Sequence, residues 1–124
     1  MKLYIAVLDE FPDYMTPTLV AHSMLGAHLY FTKCHTDLDR IVDDGPYKYP
    51  QYIDWLENSF KKCVVRVSQK EFDKIAALPD VYLGHEKKTL DGRDSCVVVC
   101  PYRDDEPLPN VLKFAKLWKP KSVE

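Results

Sequence analysis

The stretch TPTLVAHSMLGAHLYF, Thr16 to Phe31, decides how the rest of the chain is read. Thr16 followed by Pro17 is a helix start. The hydroxyl suits the N-cap, and proline at the first helical position lacks only an N–H that the helix would leave unbonded anyway. The helix is predicted to run from Pro17 to about Lys33. Leu19, Val20, Ser23, Met24, Ala27 and Tyr30 or Phe31 recur on one face at helical spacing, with His22, Leu25 and Leu29 beside them. The run is nearly all apolar or small, so it is expected to be buried. His22, His28 and the mid-helix Gly26 stand out, because each costs free energy in a buried helix.

Working outward, KLYIAVL at 2–8 reads as a buried strand that ends in the loop DEFPD. On the other side, Thr36 is expected to cap a short helix ending near Asp44, stopped by Gly45-Pro46. Pro50 opens another helix through Glu57, and Tyr47 and Tyr49 sit in an ordered loop between the two. FKKCVVRV is a strand. Ser68 and Glu71 then form a capping box for a helix with Phe72, Ile75 and Ala76 on its apolar face. A short strand follows at Val81–Leu83, then the hairpin turn signal Asp91-Gly92. SCVVVCPY is the most strand-like run of the chain. A last helix is expected from Pro107 or Pro109 to Trp118, with Val111, Phe114, Ala115 and Trp118 inward. Strand–helix–strand units imply parallel pairing, and the closely joined last two strands imply an antiparallel hairpin. The expected fold is α/β, a mixed four-stranded sheet with helices packed on both faces, in a single domain over residues 1–124.

The bulk properties bound the function. A chain of 124 residues carries one domain by length. Its net charge of −2 is uneven: residues 1–59 hold 4 basic and 9 acidic side chains, residues 60–124 hold 13 and 10. That asymmetry permits a local anion-binding face, although a dedicated nucleic-acid binder is usually basic throughout. Cys34, Cys63, Cys96 and Cys100 lie mostly in apolar runs and include no C-x-x-C pair. They read as buried free thiols of a reducing compartment. The apolar run Leu3–Leu8 is too short for a signal peptide, and no run approaches the roughly 20 apolar residues of a membrane span. A cytoplasmic protein without a membrane partner is expected.

No glycine-rich phosphate loop and no H-E-x-x-H occurs, and His22, His28 and His35 are spaced by 6 and 7, which does not gather them on one helix face. Neither a metal nor a cofactor is expected. His22 lies near the start of the first helix, beside the loop DEFPDYMT. An imidazole there can donate to a phosphate or act as a general base. The alternative is a partly exposed histidine at the border of a packed face. His28 is expected to be structural. The stretch GHEKKTLDGRD concentrates His85, Glu86, Lys87, Lys88, Asp91 and Arg93 between two strands. A functional role requires this loop to lie near the N-terminus of the first helix. Otherwise it is a solvated hairpin tip.

Together, KLYIAVLDEF, TLVAHSMLGAHLYF, WLENSFKKCVVRVSQKEFDKIAAL and SCVVVCPYRDDEPLPNVLKFAKLW resemble the type 2 peptidyl-tRNA hydrolase family, including its small phage-borne versions. The likeness runs over most of the chain. The family's first helix reads K-x-A-A-Q-C-S-H-A-A. In the gapless fit Thr18 stands at its lysine and His22 at its glutamine, whereas a shift of one puts Ala21 at the glutamine. The family's D-A-G-R-T-Q loop falls on LGHEKKTLDG, and Cys100-Pro101 stands at its Gly-Pro. The resemblance implies a mixed sheet and hydrolysis of the ester joining a peptide or aminoacyl group to tRNA. On that expectation His22 orients or deprotonates water, Glu86 or Asp91 steers it, and Lys87, Lys88 and Arg93 hold phosphates. Thr18 and His85 join them as substrate-binding candidates. The alternatives are a catalytically inactive binding protein on the same fold, for tRNA, a nucleotide-like ligand or a protein partner, and a generic ferredoxin-like small-ligand domain. A homodimer is compatible with each.

Overall fold

The computed structural model describes residues 1–32, 36–37, 40–41, 48–86 and 92–121. The strand β1, Lys2–Leu8, lies in the middle of a sheet. It pairs in parallel with β4, Lys62–Val67, and antiparallel with β6, Arg93–Tyr102. In β1 the consecutive residues Ile5, Ala6, Val7 and Leu8 are all buried, and in β6 burial is continuous from Ser95 to Pro101. Successive strand residues point to opposite faces, so both faces of these strands are covered. The cover comes from α1, Thr16–Thr32, which meets α2, Pro50–Asn58, and from α3, Gln69–Ala76, which meets α4, Asn110–Lys113.

The strand β5, Val81–Glu86, pairs antiparallel with β6. It therefore runs in the same direction as β1 and β4, and the carboxyl ends Leu8, Val67 and Glu86 share one end of the sheet. Gly92 makes the turn into β6 with φ of +79°, where a side chain would be strained, and its N–H donates to the Glu86 carbonyl at 3.0 Å. The expected capping box is formed in both halves: the Glu71 N–H donates to Ser68 Oγ at 3.2 Å, and the Ser68 N–H to Glu71 Oε1 at 3.0 Å.

The expected four-stranded sheet is corrected to five strands. The added strand β7, Lys116–Leu117, comes from sequence expected to be helical, and the order is β5-β6-β1-β4-β7. The helix α4 lasts one turn, then the chain pairs Leu117 with Val65 and Lys116 with Arg66, and the Trp118 N–H donates to the Val64 carbonyl at 2.8 Å. An edge strand offers a row of unbonded backbone groups, and satisfying those of β4 outweighs a longer helix. Phe114 consequently stands 72% exposed, while Leu112 is the buried residue of that turn. The start of α1 also differs. Thr16 is its buried first residue rather than an outlying cap, because a 3₁₀ turn at Asp13–Met15 feeds directly into the helix. The helix expected after Thr36 is replaced, over the residues described there, by two short paired strands, β2 at Thr36–Asp37 and β3 at Arg40–Ile41. Thr36 pairs in register with Ile41, and β-branched residue types suit a ladder better than a helix. Cys34, His35, Asp44, Gly45, Pro46 and Tyr47 lie outside the described residues. Cys63, Cys96 and Cys100 are free thiols, the last two buried. Among the described residues no helix is long and apolar enough to cross a membrane.

Candidate functional site

The small residues of α1 are explained by what lies under them. Its buried stripe is Thr16, Leu19, Ser23, Ala27 and Phe31, and it packs on β5 and β6. A Cβ at Gly84 would overlap the Ser23 side chain, and one at Gly26 would overlap the Tyr82 hydroxyl. Helix and edge strand are thus closer than two ordinary side-chain layers allow. This is what a mid-helix glycine, about 1 kcal/mol worse than alanine for the helix itself, makes room for.

That close approach brings His22 to Glu86. His22 Nδ1 lies 3.1 and 3.2 Å from the two carboxylate oxygens. The environments of the partners differ: the Glu86 side chain is 7% exposed, that of His22 59%. A carboxylate only accepts, so Nδ1 is the nitrogen that donates. This tautomer leaves Nε2 with its lone pair, the form in which an imidazole takes a proton. Beside the pair is a cleft of about 250 Å³ lined by Tyr14, Met15, Thr18, Leu19 and Glu86. It sits where the helix start meets the carboxyl end of a strand, the usual place for a site in such sheets. The lining offers two hydroxyls, of Thr18 and Tyr14, and the Glu86 carboxylate, and no thiol or amine.

The other expected residues divide. Thr18 lines the same cleft. His85 does not: next to Glu86 in the strand it faces the other way, is exposed, and bonds Asp94 Oδ1 through Nδ1 at 2.6 Å. Arg93 is ion-paired to Glu10 and stacks 5.0 Å from the Phe11 ring. It belongs to a neighbouring cleft of about 280 Å³ with Leu8, Gln69, Phe72, Asp73, Gly92 and Asp94. Lys87, Lys88 and Asp91 lie outside the described residues. His28 fits its structural reading, with a 2.8 Å hydrogen bond between Nδ1 and the Tyr52 hydroxyl.

A second charged group at this end was not singled out from the sequence. Arg66 Nη1 donates to Asp9 and Nη2 to Asp13, both at 3.0 Å. Nη2 also reaches the Lys119 carbonyl at 2.6 Å, and the guanidinium lies 4.9 Å from the Trp118 ring centre. The Lys121 N–H donates to Asp13 at 2.6 Å. That backbone donor, with Arg66 beside it, holds the Asp13 carboxyl below its ordinary range. The C-terminal tail thereby pins the loop that leads into α1. Tyr14, Met15 and Leu19 are the cleft residues that sequence reasoning missed; an aromatic and a methionine just ahead of a helix start were the only available signal. Among the described residues no group of three or more His, Cys, Asp and Glu side chains gathers for a metal ion. Neither protein-family models nor curated proteins give a match to the chain.

Proposed function

We propose that this chain hydrolyses the ester joining a peptidyl or aminoacyl group to tRNA, on the pattern of the type 2 peptidyl-tRNA hydrolases that its sequence resembles. The single observation that carries this reading is the His22–Glu86 pair, 3.1 Å apart at the edge of a cleft. Glu86 holds the imidazole in the tautomer that leaves Nε2 free. His22 takes a proton from water as the oxygen attacks the ester carbonyl carbon. The acyl–oxygen bond breaks, and the ribose hydroxyl leaves with the proton returned by His22. The Thr18 hydroxyl, in the same cleft, is a substrate contact.

Purified protein would be given a pool of N-blocked aminoacyl-tRNAs and acyl release followed, with His22→Ala and Glu86→Gln beside it. Expected is turnover by the wild type and a fall of about 10²- to 10⁴-fold in His22→Ala, the range of a general base. Glu86→Gln, which can no longer dictate the tautomer, falls as well. Folded wild type without turnover overturns the reading.

One observation favours the inactive binding protein instead. Among the described residues, Arg66 and Arg93 at this end of the sheet are occupied by the loop acids Asp9, Asp13 and Glu10. A phosphate would have to displace a carboxylate to reach either. Salt separates a tRNA ligand from a protein partner, since tRNA binding must weaken steeply as salt rises and a protein–protein contact need not.

A further inference from the structure

Tyr14 has the most exposed large apolar side chain of the described residues, at 82%. It also lines the cleft beside the His22–Glu86 pair. Its backbone is nevertheless fixed. The Met15 N–H donates to the Pro12 carbonyl at 3.0 Å, and the neighbouring Asp13 is held by Arg66 and by the Lys121 N–H. Among the described residues the Tyr14 side chain has no hydrogen-bond partner and no ring contact. A flat ring carried on a pinned turn, with its surface in water, contributes nothing to the core. It is placed to receive another flat group.

The proposed substrate supplies one. The ester to be cut sits on the ribose of the terminal nucleoside, so an unpaired base always lies one sugar away from the reacting carbonyl. Bases stack on aromatic side chains whatever their identity, because each has a π-face. The rest of the lining agrees with a nucleoside: Met15 and Leu19 offer apolar walls, and Thr18 a hydroxyl within the same cleft. We propose that Tyr14 is the stacking platform for the base of the terminal nucleoside, and that the Tyr14–Met15–Thr18–Leu19 cleft is the nucleoside subsite. This inference rests on the tRNA-ester reading above. Tyr14 makes the same contact before and during the reaction, so it acts on binding and leaves the chemical step alone.

The test is steady-state hydrolysis of N-acetyl-leucyl-tRNA, and of the same ester whose terminal nucleoside is abasic, by wild type, Tyr14→Phe and Tyr14→Ala. Since Tyr14 is solvent-exposed, both variants are expected to fold, which circular dichroism checks. Expected is a KM about tenfold higher in Tyr14→Ala, the weight of one stacked base, with kcat within about twofold. Tyr14→Phe restores the wild-type value. The abasic ester raises the wild-type KM by the same factor and leaves Tyr14→Ala unaffected. An unchanged KM in Tyr14→Ala overturns the proposal. So does a KM loss that persists on the abasic ester and varies with the acyl group, which would make the cleft an acyl subsite. Absence of wild-type turnover on either ester is a different result: it removes the hydrolase reading, and this proposal with it.

Discussion

The two described histidines of α1 have opposite circumstances. His22, toward the helix start, has a buried carboxylate on one nitrogen and solvent on its other side. His28, six positions on, bonds the Tyr52 hydroxyl inside a group of rings: Phe31 and Tyr52 are 5.0 Å apart, Tyr52 and Trp55 5.3 Å. Burial pushes the Tyr52 hydroxyl up to about 12. Both imidazoles are bonded through Nδ1, one end of the helix setting its ring among aromatic side chains, the other leaving it largely in water beside a buried carboxylate and a cleft. The same residue type is structural or chemically available according to what the fold packs around it.

The largest expected effect that could break this contrast is on stability. Trp55 is 1% exposed, and Trp55→Ala should cost about 3–5 kcal/mol by denaturant titration. His22→Ala, which removes the partner of the buried Glu86 carboxylate but little packing, should cost less, about 1–3 kcal/mol. Equal losses would mean that the His22 end is as structural as the other.

A smaller effect tests the close approach. At Gly84 an added Cβ would lie 2.9 Å from Ser23 Cβ, an atom fixed to the helix, so α1 must retreat. Gly84→Ala should cost about 1–3 kcal/mol and also reduce turnover, because His22 moves with the helix. At Gly26 the obstacle is the end of the Tyr82 side chain, which can turn aside, and alanine gains helix propensity. Gly26→Ala should therefore be nearly neutral in both assays. A Gly84→Ala protein of wild-type stability and turnover would remove the close approach as the reason for these glycines.

A double-mutant cycle between Tyr52→Phe and His28→Ala should show a coupling of about 1 kcal/mol. It should also change the alkaline limb. The Tyr52 pKa is raised from 10.0 to about 12 by burial, so its contribution is complete below pH 10 and is lost as pH rises toward 12. Stability of the wild type should fall over that window, and less so in Tyr52→Phe. A cycle without coupling would make His28 a bystander.

The smallest effect is at the other end and of opposite sign. Asp13 is held below its ordinary 3.8 by the Lys121 N–H and Arg66, so its contribution is present above that value and lost as pH falls below it. Asp13→Asn should flatten the acid limb of the stability profile and leave the alkaline limb unchanged. An acid limb identical to wild type would mean that the tail does not pin the loop.

Much of this was legible in advance because its causes are local. The Ser68–Glu71 box needs only four residues, and the Leu19, Ser23, Ala27 stripe only helical spacing. The last helix was misread for a reason outside its own segment. Val111, Phe114, Ala115 and Trp118 do fall at helical spacing, but the open edge of β4 took Lys116 and Leu117 as a strand. At the site, His22 and Glu86 were both singled out as residue types, yet nothing in their separation of 64 positions announces a contact. Tyr14 was passed over because an aromatic ahead of a helix reads as core until its exposure is known.

The sequence by itself determined the elements whose signals are local, the strands β1, β4 and β6 and the helices α1 and α3, since caps and hydrophobic periods act over a few residues. Only the tertiary structure decided that His22 has a carboxylate and His28 a hydroxyl, that Arg66 is enclosed by Asp9 and Asp13, and that Tyr14 stands in water. Each of these depends on which remote segments the strand order brings to one end of the sheet, and short-range chemistry carries no record of that order.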